Sequence, residues 1–224
     1  MFSGIVFDLD GVIIDSHPAH RRAWQQFLCT LGRQVPEHKL DFILEGRKRQ
    51  DILRHFLGEL SESELAGFGK RKDEFFEKMA ETVPPVAGVV AFLEELEKLA
   101  IPAAVATSAS ERRTRLTLER LRLTHHFKAV VTGDDVFEGK PSPVIYQFAA
   151  QRLNLPSEQL LAIEDAPRGV EAAIAAGMRC IGVADGAKAE SLCQAGAHQV
   201  ISDFVGLSVR ALEQSLCGQR VSAS

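Results

Sequence analysis

Two aspartates separated by one residue stand close to the amino terminus, directly after a short apolar run. Residues 5–7 have the character of a buried strand, and Asp8 and Asp10 follow them. Side chains at positions i and i+2 project from the same side of a chain that is still extended. Two like charges this close repel each other, so a cation or a proton must offset them. The pair therefore predicts a metal site or acid–base chemistry at the carboxyl end of a strand.

Further polar residues follow later apolar runs, or lie in a loop between them, and their types suit the same chemistry. They are Thr107, Ser108, Lys140, Glu164 and Asp165. In an open parallel sheet, ligands bind at the carboxyl ends of the strands, so these residues are expected to converge on the two aspartates. Carboxylate oxygens suit Mg²⁺, and an amine with a hydroxyl suits a phosphoryl group. A carboxylate in such a site can attack phosphorus and become an aspartyl phosphate.

Each of these pieces has a more ordinary interpretation when it is taken alone. The aspartate pair also suits a nucleotide-sugar transferase motif or a calcium loop, but Val12 and Ile13 occupy the positions where that loop needs a ligand and a glycine. Ser108 alone suits a helix cap, and Lys140 alone suits a solvated loop. The acidic pair at residues 164–165 suits the start of a helix. Their joint occurrence at successive strand ends favours phosphoryl chemistry.

The spacing of apolar residues predicts the elements that position this site. From residue 88 onward, helical patterns alternate with continuous apolar runs, which predicts an α/β fold with a parallel sheet covered on both faces. Between Ser16 and Thr82 the periodicity is helical throughout, so this interval is expected to be an insertion after the first strand. Ser61 and Glu64 form a predicted capping box within it. The predicted helices cover residues 18–31, 40–44, 51–57, 61–79, 88–99, 111–121, 143–153, 169–176 and 204–216, and the predicted strands cover residues 5–7, 101–107, 129–132, 159–163, 179–183 and 198–201.

Length and composition limit the class of protein. The chain has 224 residues, which is enough for one domain with an insert, and its formal net charge is -4. That charge gives no general attraction to nucleic acid or to an anionic membrane surface. No apolar run is long enough to cross a bilayer, and the amino terminus has no signal-peptide pattern. The four cysteines are far apart in the sequence, as is typical of thiols in a reducing compartment, so a cytoplasmic protein is predicted.

The ordered set of motifs resembles the four signature motifs of the haloacid dehalogenase superfamily. The resemblance is carried by residues 7–12, Ser108, Lys140-Pro141 and Glu164-Asp165, and it extends over essentially the whole chain. Within that superfamily, the helical insert, Ala23-Trp24 and residues 139–143 resemble the β-phosphoglucomutase-like phosphatases. The resemblance implies a Rossmann-like core at residues 1–15 and 82–224, and an all-helical cap at residues 16–81.

The same resemblance implies a role for each motif residue. Asp8 corresponds to the nucleophile, and Asp10 to the group that protonates the leaving oxygen and then activates the attacking water or hydroxyl. Ser108 and the amide of Ala109 correspond to the groups that hold the phosphoryl oxygens, with Thr107 as the alternative hydroxyl. The implied Mg²⁺ ligands are Asp8, the backbone carbonyl of Asp10, and Asp165, with Glu164 as a ligand or as the residue that orients one. Lys140 is expected to bridge Asp8 and the phosphoryl group.

Three cap residues also match positions that bind substrate in β-phosphoglucomutases. Arg49 falls where the mutases grip the phosphate that does not react, Lys72 falls at a cap lysine, and His20 falls at a hinge histidine near the general acid. Each also has an ordinary interpretation, as a solvated helix charge or a structural histidine. The assignment of these three residues to substrate binding is therefore an expectation that depends on how the cap folds.

Two departures from the mutase pattern favour hydrolysis over transfer to a second hydroxyl. Mutases resemble one another in carrying lysine where this chain has Glu45 and Glu111, and the change removes attraction for a distal phosphate. Arg47 and Arg112 are candidates to replace the lost charge. We therefore predict a monomeric phosphatase acting on a small-molecule phosphate ester such as a sugar phosphate. A β-phosphoglucomutase that interconverts β-glucose 1-phosphate and glucose 6-phosphate is the main alternative, and a non-catalytic phosphate-binding regulator is a remote one.

Overall fold

A parallel sheet of six strands forms the centre of the part of the chain that the computed structural model describes, residues 2–80 and 83–218. The strands are β1 (Gly4–Phe7), β2 (Ala103–Ala106), β3 (Phe127–Val131), β4 (Leu160–Glu164), β5 (Arg179–Val183) and β6 (Gln199–Ile201). Their order across the sheet is β3-β2-β1-β4-β5-β6, and every neighbouring pair is parallel. The first strand therefore lies at the centre, with β2 and β4 on either side, and the predicted α/β fold is confirmed.

Helices alternate with these strands and also fill the interval between β1 and β2. The helices are α1 (His17–Thr30), α2 (Arg49–Leu57), α3 (Glu62–Ala80), α4 (Val89–Lys98), α5 (Glu111–Arg120), α6 (Val144–Leu153), α7 (Pro167–Ala175), α8 (Gly186–Gln194) and α9 (Val209–Gly218). Three 3-10 segments cover Glu37–Leu44, Thr124–His126 and Ser157–Gln159. The predicted helix at residues 40–44 is thus part of a 3-10 segment rather than an α-helix.

Local hydrogen bonds set the ends of two of these helices. The capping box is confirmed, because the Ser61 amide donates to Glu64 Oε2 at 2.8 Å and the Glu64 amide donates to Ser61 Oγ at 3.4 Å. The closing helix begins five residues later than predicted. Gly206 adopts a left-handed conformation, and Ser208 Oγ accepts the Ala211 amide at 3.2 Å, so the helical turn starts only after them.

Buried apolar side chains fall into three clusters. Two cover opposite faces of the sheet, one around Phe7 and Phe92 and the other around Val6 and Tyr146. The third is made by Trp24 and other buried residues from α1, the 3-10 segment Glu37–Leu44, α2 and α3. The cap at residues 16–81 stays a prediction as a separate domain, and its boundary at residues 81–82 lies outside the described residues, as does the polar tail at residues 219–224. No described helix is long and apolar enough to cross a membrane.

Candidate active site

Four segments of the chain meet at the carboxyl edge of the sheet. Because β1 lies between β2 and β4, the residues that follow these three strands are neighbours, and the loop after β3 adds a lysine. The motif residues in this group are Asp8, Thr107, Ser108, Lys140, Glu164 and Asp165. Most of them line one cleft together with residues from α1, α2 and α3. The space inside it is about 110 Å³.

The ammonium group of Lys140 lies at the centre of the core site and contacts three acceptors. Its side chain is 1% exposed, and Nζ donates to Asp8 Oδ1 at 2.6 Å, to the carbonyl of Ala106 at 3.2 Å, and to Glu164 Oε1. All three donors of the ammonium are therefore used. Burial disfavours the charge, but Asp8 and Glu164 outweigh it and raise the pKa of Lys140 above its ordinary value. Lys140 is thus a permanent cation beside the predicted nucleophile.

Three buried carboxylates surround this lysine. Asp8, Glu164 and Asp165 each place a carboxylate oxygen within 4.8 Å of the other two. Burial, together with the charges of Glu164 and Asp165, raises the pKa of Asp8 well above its usual value despite Lys140. The site therefore lacks positive charge for a fully ionised cluster. That shortage, and the all-oxygen donor set, fit a hard divalent cation such as Mg²⁺.

Glu164 and Asp165 differ in how their oxygens are used. Glu164 Oε1 accepts from the Tyr146 hydroxyl at 2.8 Å as well as from Lys140, while Oε2 accepts the amides of Asp165 and Ala166 at 3.1 and 3.2 Å. With both oxygens occupied, Glu164 is arranged to orient Lys140 rather than to bind a metal directly. Sequence reasoning did not identify Tyr146, which lies in the first turn of α6 and belongs to no motif.

Asp165 is held at the mouth of the cluster by two groups that sequence reasoning also missed. Asp165 Oδ2 lies 2.8 Å from His17 Nε2 and accepts from Lys188 Nζ at 2.6 Å. Burial would raise the pKa of Asp165, but His17 and Lys188 outweigh it and lower the pKa below its usual value. Gly11, with φ of +78°, lets the first motif approach, since a Cβ there would lie 2.6 Å from both the Asp165 Cγ and the His17 ring.

Asp10 lines the same cleft as Asp8, but its carboxylate pairs with other side chains. The strand ends at Phe7, and the turn that follows directs Asp10 toward Arg113 on α5. Arg113 is 6% exposed and forms a bidentate ion pair, with Nη1 to Oδ1 at 2.9 Å and Nη2 to Oδ2 at 2.5 Å. Ser16 Oγ donates to Oδ1 at 2.7 Å. Arg113 was not identified from the sequence.

This ion pair changes the protonation of Asp10. Burial would raise its pKa, but Arg113 and His20 outweigh burial and hold the pKa of Asp10 well below its usual range. In this arrangement Asp10 is an ionised carboxylate. It can donate a proton only after it leaves Arg113 and gains that proton elsewhere.

His20 links Asp10 to the helical insert, as the resemblance predicted. Its Nε2 lies 3.0 Å from Asp10 Oδ1, its Nδ1 lies 3.3 Å from Lys72 Nζ, and its ring stacks on Phe76 with centroids 4.3 Å apart. Burial and the nearby cations lower the pKa of His20 to about 4, so the ring is neutral near pH 7. Because an ionised Asp10 can only accept, the neutral ring is expected to carry its proton on Nε2 and to accept from Lys72 at Nδ1. Burial and Arg113 also lower the pKa of Lys72 to about 7.

The second motif places its two hydroxyls in different roles. Thr107 Oγ1 is buried and accepts the Ala109 amide at 3.1 Å, whereas Ser108 Oγ donates to the carbonyl of Gly46 at 2.9 Å. Ser108 therefore contacts the helical insert across the cleft, whereas Thr107 stabilises the loop after β2 by accepting the amide of Ala109. The choice of Ser108 over Thr107 as the phosphoryl-binding hydroxyl stays a prediction, and so does the role of the Ala109 amide.

The cations predicted around the distal end of the cleft are each paired with a nearby carboxylate. Arg49 forms an ion pair with Asp73 on α3, and Arg47 Nη2 lies 2.8 Å from Glu45 Oε2. Asp73 also accepts from Ser110 Oγ at 3.1 Å and lines the cleft. This aspartate was not singled out as a site residue from the sequence, because an acid among helix charges carries no distinctive signal.

Arg112 does not take the place that sequence reasoning offered it. Its side chain is 72% exposed, and it donates to Glu77 on α3 at 3.1 and 3.0 Å, outside the set of residues that line the cleft. The neighbouring Arg113 points inward instead, since a step of one residue turns a side chain by about 100° around a helix. Arg113 therefore lines the cleft, where it pairs with Asp10, and Arg112 does not.

Comparison with known families gives a match over most of the chain. The family model described as haloacid dehalogenase-like hydrolase matches residues 5–183. Hexitol phosphatase A from Escherichia coli is 37% identical over 182 residues, which are 80% of this chain and 82% of the relative. A phosphorylated carbohydrates phosphatase from Thermotoga maritima is 34% identical over 202 residues, covering 88% of this chain and 93% of the relative.

Comparison with solved structures gives the same fold. A β-phosphoglucomutase from Clostridium difficile superposes with a TM-score of 0.87, covering 99% of this chain and 100% of that chain, at 23% sequence identity. At this level of identity the likeness concerns the fold alone. The helical insert between β1 and β2 is thus part of an architecture that recurs in other proteins.

Proposed function

The chain belongs to the haloacid dehalogenase-like hydrolases, and from this premise we propose that it is a Mg²⁺-dependent phosphatase of small sugar phosphates. The phosphoryl group passes first to Asp8, as an aspartyl phosphate, and then to water. The resemblance to a hexitol phosphatase and to a phosphatase of phosphorylated carbohydrates supports a sugar or sugar-alcohol phosphate as substrate. The small volume of the cleft supports a small molecule over a polymer.

The observation that carries this proposal is the buried ion pair between Asp8 and Lys140. In the first step an Asp8 carboxylate oxygen attacks phosphorus, the bond from phosphorus to the sugar oxygen breaks, and that oxygen takes a proton. In the second step a water oxygen attacks phosphorus, the bond to Asp8 breaks, and inorganic phosphate leaves. Lys140 keeps Asp8 oriented and offsets negative charge as the phosphoryl group approaches.

The carboxylate cluster fits a resident Mg²⁺ ion. Asp8, Asp165 and the backbone carbonyl of Asp10 are the groups that would hold it, while Glu164 is occupied by Lys140, Tyr146 and two amides. When bound, the cation supplies positive charge that keeps Asp8 ionised and neutralises the phosphoryl oxygens. Removal of divalent cations by a chelator is therefore expected to abolish turnover.

Asp10 is the group proposed to protonate the leaving oxygen and then to activate water. Arg113 and His20 hold it ionised in the arrangement described here. Its part in the reaction therefore requires the carboxylate to rotate away from Arg113 and toward the sugar oxygen. His20 lies within hydrogen-bond reach of Asp10 and stays neutral. It therefore adds no charge to the site, whether Asp10 faces Arg113 or the sugar oxygen.

The pairing of the distal cations favours a phosphatase over a mutase. A mutase must hold a bisphosphate, whose second phosphate needs free positive charge at the distal end of the cleft. Here Asp73 neutralises Arg49, and Glu45 neutralises Arg47. The part of the substrate away from the reacting phosphate, here called its tail, is therefore expected to be neutral and hydroxylated. The remaining donors and acceptors of these ion pairs can bind hydroxyl groups without an excess of charge.

A phosphorus NMR assay tests the proposal directly. The protein with Mg²⁺ is given β-glucose 1-phosphate with trace glucose 1,6-bisphosphate, and in a parallel sample a hexitol phosphate. We expect free phosphate in both samples. The appearance of glucose 6-phosphate in the first sample would identify a mutase. No turnover of either compound, nor of an aryl phosphate, would identify a non-catalytic binder.

Replacing Asp73 is expected to change which tails the cleft accepts. The variant Asp73→Asn frees Arg49, so kcat/KM for fructose 1,6-bisphosphate should rise about tenfold relative to that for fructose 1-phosphate. The readout is phosphate release from both compounds with the wild type and the variant. Glu77→Gln is the matched control, because it removes a carboxylate from the same helix that pairs with the exposed Arg112. An unchanged ratio in Asp73→Asn would show that Asp73 does not govern the tail.

A further inference from the structure

A second group of metal-binding side chains lies at the opposite edge of the sheet from the candidate active site. Glu97 is in the last turn of α4, and His125 and His126 are in the 3-10 segment that leads into β3. Each of the three offers a ligand atom within 4.8 Å of the other two. Because they precede β2 and β3, they lie at the amino ends of the strands, whereas the catalytic residues follow the carboxyl ends.

The ring of His126 carries a buried nitrogen that no hydrogen bond within the described part of the chain satisfies. It is 5% exposed, and its Nδ1 has no hydrogen-bond partner among the described residues. Glu97 Oε1 lies 3.0 Å from this Nδ1, but not in the direction that a hydrogen bond requires. A buried polar nitrogen without a partner costs stability, so the lone pair of Nδ1 is suited to a ligand that the carboxylate also binds.

We propose that Glu97, His125 and His126 form a binding site for a zinc ion. Two imidazoles and one carboxylate, with a water as the fourth ligand, are a donor set that Zn²⁺ accepts in tetrahedral geometry. The nitrogen donors disfavour Mg²⁺ and Ca²⁺, which take oxygen ligands. The ring centroids of His125 and His126 are 4.0 Å apart, so small rotations of the rings would let one nitrogen of each bind the same ion. The carboxyl end of α4 adds the negative end of the helix dipole.

A zinc ion at this site would tie α4 to the turn before β3. The ion binds the folded chain and not the extended one, so the melting temperature rises as the free zinc concentration exceeds the dissociation constant. It lies across the sheet from the cleft, and the phosphatase reaction does not need it. The site is therefore expected to stabilise the fold without changing turnover.

Calorimetric titration of tag-free protein with Zn²⁺ tests this site. Excess Mg²⁺ is present throughout, so that the acidic cluster of the active site is occupied. We expect one zinc site, and its affinity should fall about tenfold or more in His126→Ala and in Glu97→Gln. Glu94→Gln is the matched control, since it removes another exposed carboxylate from the same helix. Wild-type affinity in both His126→Ala and Glu97→Gln would overturn the proposal.

Two further measurements test the same site, and the first of them uses the wild type alone. Anomalous diffraction at the zinc edge, from crystals of the wild type grown with Zn²⁺, should place a peak between Glu97 and His126. A peak only at the carboxylates of the active site would contradict the assignment. Glu97→Gln should also lose the zinc-dependent rise in melting temperature while it keeps wild-type phosphate release.

Discussion

Asp8→Asn is expected to lower kcat by at least about 10⁴-fold on any phosphate ester that the wild type hydrolyses. An amide oxygen is a poor nucleophile and cannot form the aspartyl phosphate. The fold should be retained, because Lys140 keeps Glu164 and the Ala106 carbonyl as acceptors and one repelling carboxylate is removed. The measurements are phosphate release, and mass spectrometry of acid-quenched protein for a covalent phosphate.

A matched variant separates this effect from a general change in charge. Asp15→Asn removes an exposed carboxylate five residues beyond Asp10, and it should keep wild-type turnover. Turnover by Asp8→Asn at a rate near that of the wild type would exclude Asp8 as the nucleophile. A covalent phosphate trapped on another residue would do the same.

Lys140→Met is expected to lower kcat/KM by about 10²- to 10³-fold. The substitution removes the cation that contacts Asp8 at 2.6 Å and also holds Glu164. Two buried carboxylates then face each other without a counter-charge, so the free energy of unfolding in the absence of Mg²⁺ should fall by about 3 kcal/mol or more. Steady-state kinetics and denaturant unfolding measure the two losses.

The dependence of that variant on Mg²⁺ gives a sharper test. Added Mg²⁺ supplies positive charge to the same carboxylates, so it should recover more stability in Lys140→Met than in the wild type. Lys128→Met is the control, since Lys128 is an exposed lysine on β3. Activity of Lys140→Met within about threefold of the wild type would show that Lys140 has no part in the reaction.

The core of the site could be predicted from the sequence because each of its residues follows a strand. An apolar run identifies a strand, a parallel sheet aligns the carboxyl ends of its strands, and the polar residues after those runs must therefore meet. This logic places Asp8, Lys140 and Glu164 together, and in the structure they are in hydrogen-bond contact. No long-range information was needed beyond the order of the strands.

The same logic failed where a helix, not a strand, carries the residue. Along α5 the exposed Arg112 and the buried Arg113 differ only in which side of the helix faces the cleft. That direction depends on how α5 packs on α3 and on the turn after β1. Arg112, the candidate from the sequence for charge near a distal phosphate, lies outside the cleft, and the arginine that enters the cleft pairs with Asp10.

The sequence by itself determined the parallel sheet, the order of its strand-end motifs and the acidic cluster that suits a divalent cation, because these follow from continuous apolar runs and from the polar residues next to them. Only the tertiary structure decided which charges neutralise one another. Asp10 meets Arg113 across 103 positions of the chain, and Asp73 meets Arg49 across 24. Such pairings depend on how a helix packs against a separate turn or helix, and a pattern along one segment does not record that packing.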